Sequence, residues 1–190
     1  GPAQSLANIV LRIEYCQKVL AKQPPLLDEE LLQLKTFARS TLKEIREILF
    51  DLRPANLEDF GLTDALKRYF MDYQQKHGII ITPVFSGKNQ SYIPEVEIAV
   101  YRIIQECLNN AAKHSQCSNI TVQMEISATS LRVVVTDDGT GFDVREGFAK
   151  NRFGLSGMQE WARLLGGEVK VNSTPNKGTR VFVTLPLEER

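Results

Sequence analysis

Between Pro94 and Ser115 the chain reads PEVEIAVYRIIQECLNNAAKHS. Apolar residues recur along it at helical spacing, and Pro94 suits a first helical turn, where its missing N–H costs nothing. The stretch is therefore expected to be one long helix with a buried face. Yet its second half, from Glu106 to Ser115, carries a Glu, two Asn, a Lys and one of only two histidines in the chain. A buried polar group without a partner is costly. That face therefore looks either at solvent or at a ligand.

The chain around this helix changes character once. At 190 residues it is long enough for one domain with a full core and a smaller appendage. In the first part, Leu6, Ile9, Val10, Ile13 and Leu20 fall at helical spacing, and Pro24-Pro25 stops that run. A second helix is expected after Asp28, with Leu31, Leu34, Ala38, Leu42, Ile45, Leu49 and Leu52 on one side, ending at Arg53-Pro54. Two such helices form an antiparallel hairpin with an exposed apolar seam. The seam packs either on the rest of the chain or on a second copy, and a homodimeric four-helix bundle is the expectation.

From Asp59 onward helices and strands mix. An amphipathic helix is expected from about Thr63 or Asp64 to Gly78, then a strand over 79–85. After the long helix come strands over 120–126 and 131–136, a glycine-rich stretch over 138–157, and a helix over 158–165 closed by Gly166-Gly167. Two more strands, 168–172 and 180–185, flank the turn Pro175-Asn176-Lys177-Gly178. Helices do not alternate strictly with strands, so the class is α+β, a sheet covered on one face by helices. The boundary between the parts is placed at 56/57.

Composition excludes several classes. Lys+Arg and Asp+Glu each number 23, so there is no surplus of cations to displace nucleic-acid counterions, and a direct nucleic-acid partner is not expected. Cys16, Cys107 and Cys117 are scattered, with no C-x-x-C pair and only two histidines, which argues against zinc and for a reducing compartment. No apolar run is long enough to span a bilayer and no secretory signal is visible. A cytoplasmic location follows as the expectation, with a membrane anchor left open for a longer parent protein.

Three clusters carry chemistry. Glu106 and Asn110 lie four apart on one helix face, and Lys113 and His114 extend that face by one turn. A Glu and Asn oxygen pair suits a hard cation such as Mg²⁺ together with phosphate oxygens; the alternative is a solvated helix face. The second cluster is VVVTDDGTGF, Val133 to Phe142. An apolar strand runs into Asp137, and glycines at 139 and 141 let backbone approach a ligand. The alternative is an Asp-Gly hairpin turn, which does not account for Gly141. The third is FGLSGMQEWARLLGG, Phe153 to Gly167, with Gly154 and Gly157 at the mouth of a helix whose free N–H groups suit phosphate. A Walker A loop is absent.

In this order the clusters resemble the ATP-binding domain of sensor histidine kinases. Glu106 to His114 resembles the N box, Asp137-Asp-Gly-Thr-Gly141-Phe142 the first G box, Gly154-Leu155-Ser-Gly157-Met158 the second, and Lys177-Gly-Thr179 the third. Leu52-Arg-Pro followed by Gly61-Leu-x-x-Ala65-Leu is similar to the junction in the subfamily that pairs with NarL-type response regulators. The resemblance implies a two-layer α/β sandwich of the Bergerat or GHKL type behind the hairpin. It implies ATP and Mg²⁺ as cofactors. Asp137 would bind the adenine amine, Asn110 and Glu106 the ion, and Lys113 and His114 the phosphates. Gly139, Gly141, Phe142, Gly154, Leu155, Gly157 and Met158 would shape the pocket, with Thr179 at its floor and 143–153 as a lid.

The same subfamily carries its phospho-accepting histidine in a His-Asp-x-x-x-Gln-x-Leu motif. Gln4 and Leu6 match its end, and the His and Asp would fall immediately before Gly1. The sequence thus reads as a piece of a kinase beginning just after the acceptor, with Gln4 implied to orient water against a regulator's phosphoaspartate. The implied function is transfer of the ATP γ-phosphoryl to a histidine and then to a response-regulator aspartate. The rivals are a nucleotide-switched, non-enzymatic interaction module and an anti-sigma-type serine kinase.

Overall fold

A computed structural model of the chain describes residues 8–16, 29–38, 40–41, 54–87, 93–144 and 153–187. The chain divides into two compact units, Gly1–Arg53 and Pro54–Arg190.

In the first unit, residues 8–16 (α1) and 29–38 (α2) are helical. They are tied by Arg12, which donates to Gln33 Oε1 at 2.8 Å and lies 3.6 Å from Glu30 Oε2. Val10, Leu11 and Ile13 on α1 and Leu31 and Leu32 on α2 are exposed. Leu6, Leu20 and the seam positions from Leu42 to Leu52 lie outside the described residues.

The second unit is a five-stranded sheet. Its strands are β1 (Ile80–Ser86), β2 (Asn119–Ile126), β3 (Ser130–Asp137), β4 (Glu168–Ser173) and β5 (Thr179–Pro186), in the order β1-β2-β3-β5-β4. Only the β1–β2 pair is parallel. Alternation along the strands decides which face is covered. Ile120, Val122 and Met124 of β2, Leu131, Val133 and Val135 of β3, and Val181, Val183 and Leu185 of β5 are all buried. The residues between them point the other way. Against the buried face lie α3 (Ala55–His77), α4 (Pro94–Asn110) and α5 (Phe153–Leu164), which contribute Leu66, Phe70, Ile103, Ile104, Leu108, Met158 and Ala162 to the core. The arrangement is the helix-covered sheet expected from the pattern.

Two helices differ from expectation at their starts. α3 begins at Ala55, eight residues or more before Thr63 and Asp64, and bends at Gly61, whose φ of 71° and ψ of 173° are not helical. The earlier turn is held because Leu57 is fully buried. α5 begins at Phe153 rather than Met158, so Gly154 and Gly157 lie within its first turns. The helix ends agree better. Gly78 takes a left-handed C-terminal conformation and donates to Gln74 O. The long helix starts at Pro94, but after Asn110 it loosens into a π turn, Ala111–Ser115.

α3 is pinned to α4 at one polar point. The Tyr73 hydroxyl, buried with the ring, donates to Leu108 O at 2.5 Å. Burial pushes its pKa up to about 12, so the proton stays in place throughout the neutral range. Tyr73→Phe removes the donor and leaves a buried carbonyl without it. A loss of about 1–2 kcal/mol in unfolding free energy is expected, and urea denaturation at neutral pH measures it.

Candidate nucleotide site

The π turn matters for what α4 presents. A π turn holds more residues per turn than an α-helix and shifts the phase of the face that follows, and such turns recur at functional sites. Asn110 and His114 line a recess between the helices and the sheet, whereas Lys113 is exposed outside its wall. The expected extension of one face through both Lys113 and His114 is thereby split. Glu106 stands behind Asn110, whose Nδ2 donates to Glu106 Oε1 at 3.2 Å.

The recess holds a cavity volume of about 90 Å³ and opens to solvent. Its walls are largely apolar, with Cys107, Ile120, Val135, Leu155, Met158 and Val181. Its polar atoms come from few places: Asn110, His114 and Ser115 on one side, Asp137 and Thr179 on the other. Such a surface accepts a flat apolar ring with a few polar edges. The Cys107 sulfur lies 3.4 Å from Met158 Sδ, and burial pushes the thiol up, so it stays protonated.

Asp137 and Asp138 have opposite fates. Asp137 ends β3, lines the recess and accepts from Gly139 N at 2.9 Å. Burial raises its pKa, while Gly139 N–H and the N–H and hydroxyl of Thr179 pull it back down. Asp138 is exposed and braces the start of β2. It accepts from Ser118 N and Asn119 N, both at 2.9 Å, and from Asn119 Nδ2 at 2.7 Å, and these donors hold it low.

The glycines of the same loop are explained by the protein's own backbone. A Cβ on Gly139 would stand 2.3 Å from Ser115 O, and one on Gly141 would stand 2.2 Å from Thr174 O, where φ is also +58°. Thr140 N donates to Ser115 O at 2.7 Å, and Thr140 O accepts from Asn176 N at 2.5 Å. The close approach expected of a ligand is here that of the π turn on one side and the β4–β5 turn on the other. A Cβ on Gly157, by contrast, would meet nothing within 4 Å.

The structure therefore gathers Asn110, His114, Asp137, Gly141, Phe142, Leu155, Met158 and Thr179 around one recess. Glu106, Lys113, Gly139 and Gly157 are not among its lining residues. Gln4, and most of the expected lid (residues 145–152), lie outside the described residues. Sequence reasoning passed over Cys107, Ile120, Val135 and Val181 as wall residues. The signal was present: Cys107 is one helical turn before Asn110, and Val135 and Val181 are two residues along a strand from Asp137 and Thr179.

Comparison with known proteins agrees with this geometry. Residues 95–189 match the family of histidine kinase-, DNA gyrase B- and HSP90-like ATPases, and residues 1–57 match a histidine kinase family. The signal transduction histidine-protein kinase/phosphatase DegS of Brevibacillus brevis is 36% identical over 98% of this chain and 48% of its own length. DegS of Bacillus subtilis is 35% identical over 98% of this chain and 50% of its own. The chain thus spans about half the length of these relatives. Among solved structures, the histidine kinase domain of the Erythrobacter litoralis EL346 blue-light activated kinase aligns at a TM-score of 0.54, with 25% identity over 66% of this chain and 65% of that one. The ATP-binding domain of PrrB from Mycobacterium tuberculosis shares the fold at 0.54, with 22% identity, covering 67% of this chain and 94% of that one. The chain belongs to the histidine kinase-, DNA gyrase B- and HSP90-like ATPase family. Within it, the paired matches make it a region of a sensor histidine kinase of the hairpin-and-ATPase type, with a GHKL-type ATP-binding domain.

The Asp137 pKa leads to a pH dependence. Its folded-state value lies above the ordinary carboxylate value of 3.8. The folded chain therefore holds an extra proton between the two values, and this group's contribution to stability falls as pH rises through that window. Were Asp137 to take a base amine, as the resemblance implies, that recognition would run the other way, because the ionised carboxylate is the stronger acceptor. Adenosine diphosphate affinity is expected to weaken as pH falls through the raised Asp137 value. Asp137→Asn should remove that acid limb and weaken binding about tenfold or more, in line with roughly 1.5–3 kcal/mol for a hydrogen bond to a charged group. Titration calorimetry across the acid range tests both, and an identical acid limb in the two proteins would reject the assignment.

Proposed function

We propose that this chain is the catalytic region of a two-component sensor histidine kinase. In this reading it binds ATP with Mg²⁺ in the recess, directs the γ-phosphoryl to a histidine, and serves a NarL-type response regulator as final acceptor. The observation that carries it is one apolar recess with Asn110 on its helix side and Asp137 on its sheet side, in a chain matched by both kinase families.

The roles follow from the side chains. Asp137 takes the base amine, and the apolar walls take the ring. Because Asn110 Nδ2 is turned to Glu106, the Asn110 carbonyl oxygen and the second Glu106 oxygen remain as acceptors. Among the described residues no cluster of three His, Cys, Asp or Glu side chains could hold a metal. Two oxygens fit Mg²⁺, which keeps waters and draws further ligands from substrate phosphates. When bound, the ion would supply charge neutralisation at the phosphates. Transfer forms a bond from phosphorus to an imidazole nitrogen as the bond to the β–γ bridging oxygen breaks. ADP leaves with that electron pair, and the imidazole proton passes to a base. That base would come with the histidine, because Glu106 is already committed to Asn110 and the ion. His114 and Lys113 keep their proposed place at the phosphates, and Gln4 its proposed place against a regulator phosphoaspartate.

Histidine occurs only at positions 77 and 114, neither within residues 1–57, which match the histidine kinase family. Radiolabelled ATP is therefore expected to leave no phosphohistidine on this chain. Label should appear on a helical hairpin carrying the His-Asp-x-x-x-Gln motif, when the two are mixed under conditions that allow them to pair. Asn110→Asp should abolish that label while adenosine still binds. A chain that binds adenosine diphosphate but never labels such a hairpin would be a nucleotide-switched binding module instead.

Homodimerisation through the hairpin is part of the same proposal. Val10, Leu11, Ile13, Leu31 and Leu32 form an apolar surface on α1 and α2 that a second copy would cover. Sedimentation should report a dimer, and Ile13→Glu should shift it towards monomer without changing adenosine diphosphate affinity. A monomer at high concentration would exclude this use of the hairpin.

A further inference from the structure

Glu106 has a basic neighbour that the site described so far leaves unused. Arg102 lies one helical turn before it on α4, as Glu106 lies one turn before Asn110. At a helical rise of 1.5 Å per residue, the three leave the helix about 6 Å apart along one face. An Arg and a Glu four apart on a helix are placed to pair. These two do not pair. Glu106 Oε1 accepts from Asn110 Nδ2 at 3.2 Å, and Arg102 Nη1 donates instead to Gln105 Oε1 at 3.2 Å.

The guanidinium is therefore only partly matched. Arg102 is half-buried, and its Nε is enclosed without a hydrogen-bond partner. No carboxylate among the described residues forms an ion pair with it. A guanidinium keeps its charge across the accessible pH range and presents its N–H donors in a planar fork. The neutral amide oxygen of Gln105 occupies one donor and cancels none of the charge. A cation withdrawn from water without an anion is costly. An oxyanion offsets that cost, and the fork suits the paired oxygens of a carboxylate or a phosphate.

The position of the fork narrows the choice of oxyanion. Arg102 reaches forward along the helix to Gln105, so its head is held over the turn that carries Gln105 and Glu106. Asn110 lines the recess, whereas Glu106 and Arg102 lie beyond its wall. A nucleotide with its base on Asp137 and its phosphates between Lys113 and the Asn110–Glu106 pair has its diphosphate at that pair. Only a third phosphate extends past Glu106 to the next turn, where Arg102 stands.

We propose that Arg102 is a substrate-binding residue for the terminal phosphate of a nucleoside triphosphate: its guanidinium fork takes the γ-phosphate oxygens and so distinguishes triphosphate from diphosphate. The inference rests on the nucleotide-site reading above and adds to it a residue outside the motifs that define that site. The bond to Gln105 holds the fork in place before the ligand arrives. Once the phosphoryl group has left, the diphosphate no longer engages the fork and is held less tightly.

Calorimetry tests this by comparing adenosine diphosphate with the nonhydrolysable triphosphate adenylyl imidodiphosphate, each with Mg²⁺. Arg102→Gln removes both charge and fork. It is expected to weaken the triphosphate about tenfold or more, in line with a hydrogen bond to a charged group, and to leave the diphosphate within about twofold. Arg102→Lys keeps the charge without the fork, and its triphosphate affinity should fall between those of Arg102→Gln and the unaltered chain.

Equal losses for the two nucleotides would mark a structural role and overturn the inference, as would a triphosphate affinity that neither variant changes. Should Arg102→Gln lack a melting transition, Arg102→Lys decides through the ratio of the two affinities: a reduced preference for triphosphate supports the role, and an unchanged one rejects it. An unchanged ratio together with lost labelling of an acceptor hairpin would assign the fork to a carboxylate of the acceptor and reject the phosphate role. Failure of the unaltered chain to bind adenosine diphosphate would reject the nucleotide-site reading itself.

Discussion

The recess depends on one backbone contact. Thr140 N donates to Ser115 O at 2.7 Å, joining the loop after β3 to the π turn that ends α4. The contact is close because position 139 has no side chain; a Cβ there would overlap the Ser115 carbonyl and its Cβ. Helix layer and sheet are thereby drawn together at one corner, and the space left between them is the site. The second clamp, where Gly141 lies against the β4–β5 turn, fixes the opposite side of the same loop. Both glycines serve architecture first, and the ligand surface follows from the backbone positions they permit.

Much of this was legible in the sequence. β2, β3 and β5 fall within one residue of the expected bounds at each end. Helix ends marked by a left-handed glycine or a first-turn proline, such as Gly78 and Pro94, were equally plain. The starts of α3 and α5 are misplaced for different local reasons. Thr63 and Asp64 suit a cap and Gly154 and Gly157 suit a helix mouth, while in the fold Gly61 only bends a helix already under way and Gly154 and Gly157 lie inside theirs. Tertiary burial, as of Leu57, held the earlier turn in place and left no local signal. The π turn was likewise invisible, because its extra residue breaks the period that sequence reading assumes.

The site shows the same division. Residue type and order pointed to Asp137, Asn110 and Thr179. Spacing could not separate Asp137 from Asp138, because neighbours in sequence point to opposite faces only when the strand continues through both. β3 ends at Asp137, and the next carboxylate is captured by Asn119. Polar type alone also could not reveal Ser173, whose oxygen accepts from Phe142 N at 2.9 Å, a contact between distant segments that neither displays by itself. Electrostatics sharpen the contrast: burial lifts the carboxylate that lines the recess, and the Asn119 and Ser118 donors hold down the neighbour that braces β2.

The open side of β1 has a consequence for the protein's life among other chains. β1 is an edge strand, paired with β2 alone, and it leaves Ile80 and Val84 exposed. A flat apolar edge of this kind is where sheets of different molecules stitch together and aggregate. Pro83 stands in the middle of it. With no N–H to offer and a ring in the way, it interrupts any added strand after a few bonds. The Ile81 N–H is also taken, by Gln74 Oε1 at 2.7 Å, so proline and helix together disfavour growth of the sheet at the margin farthest from β4.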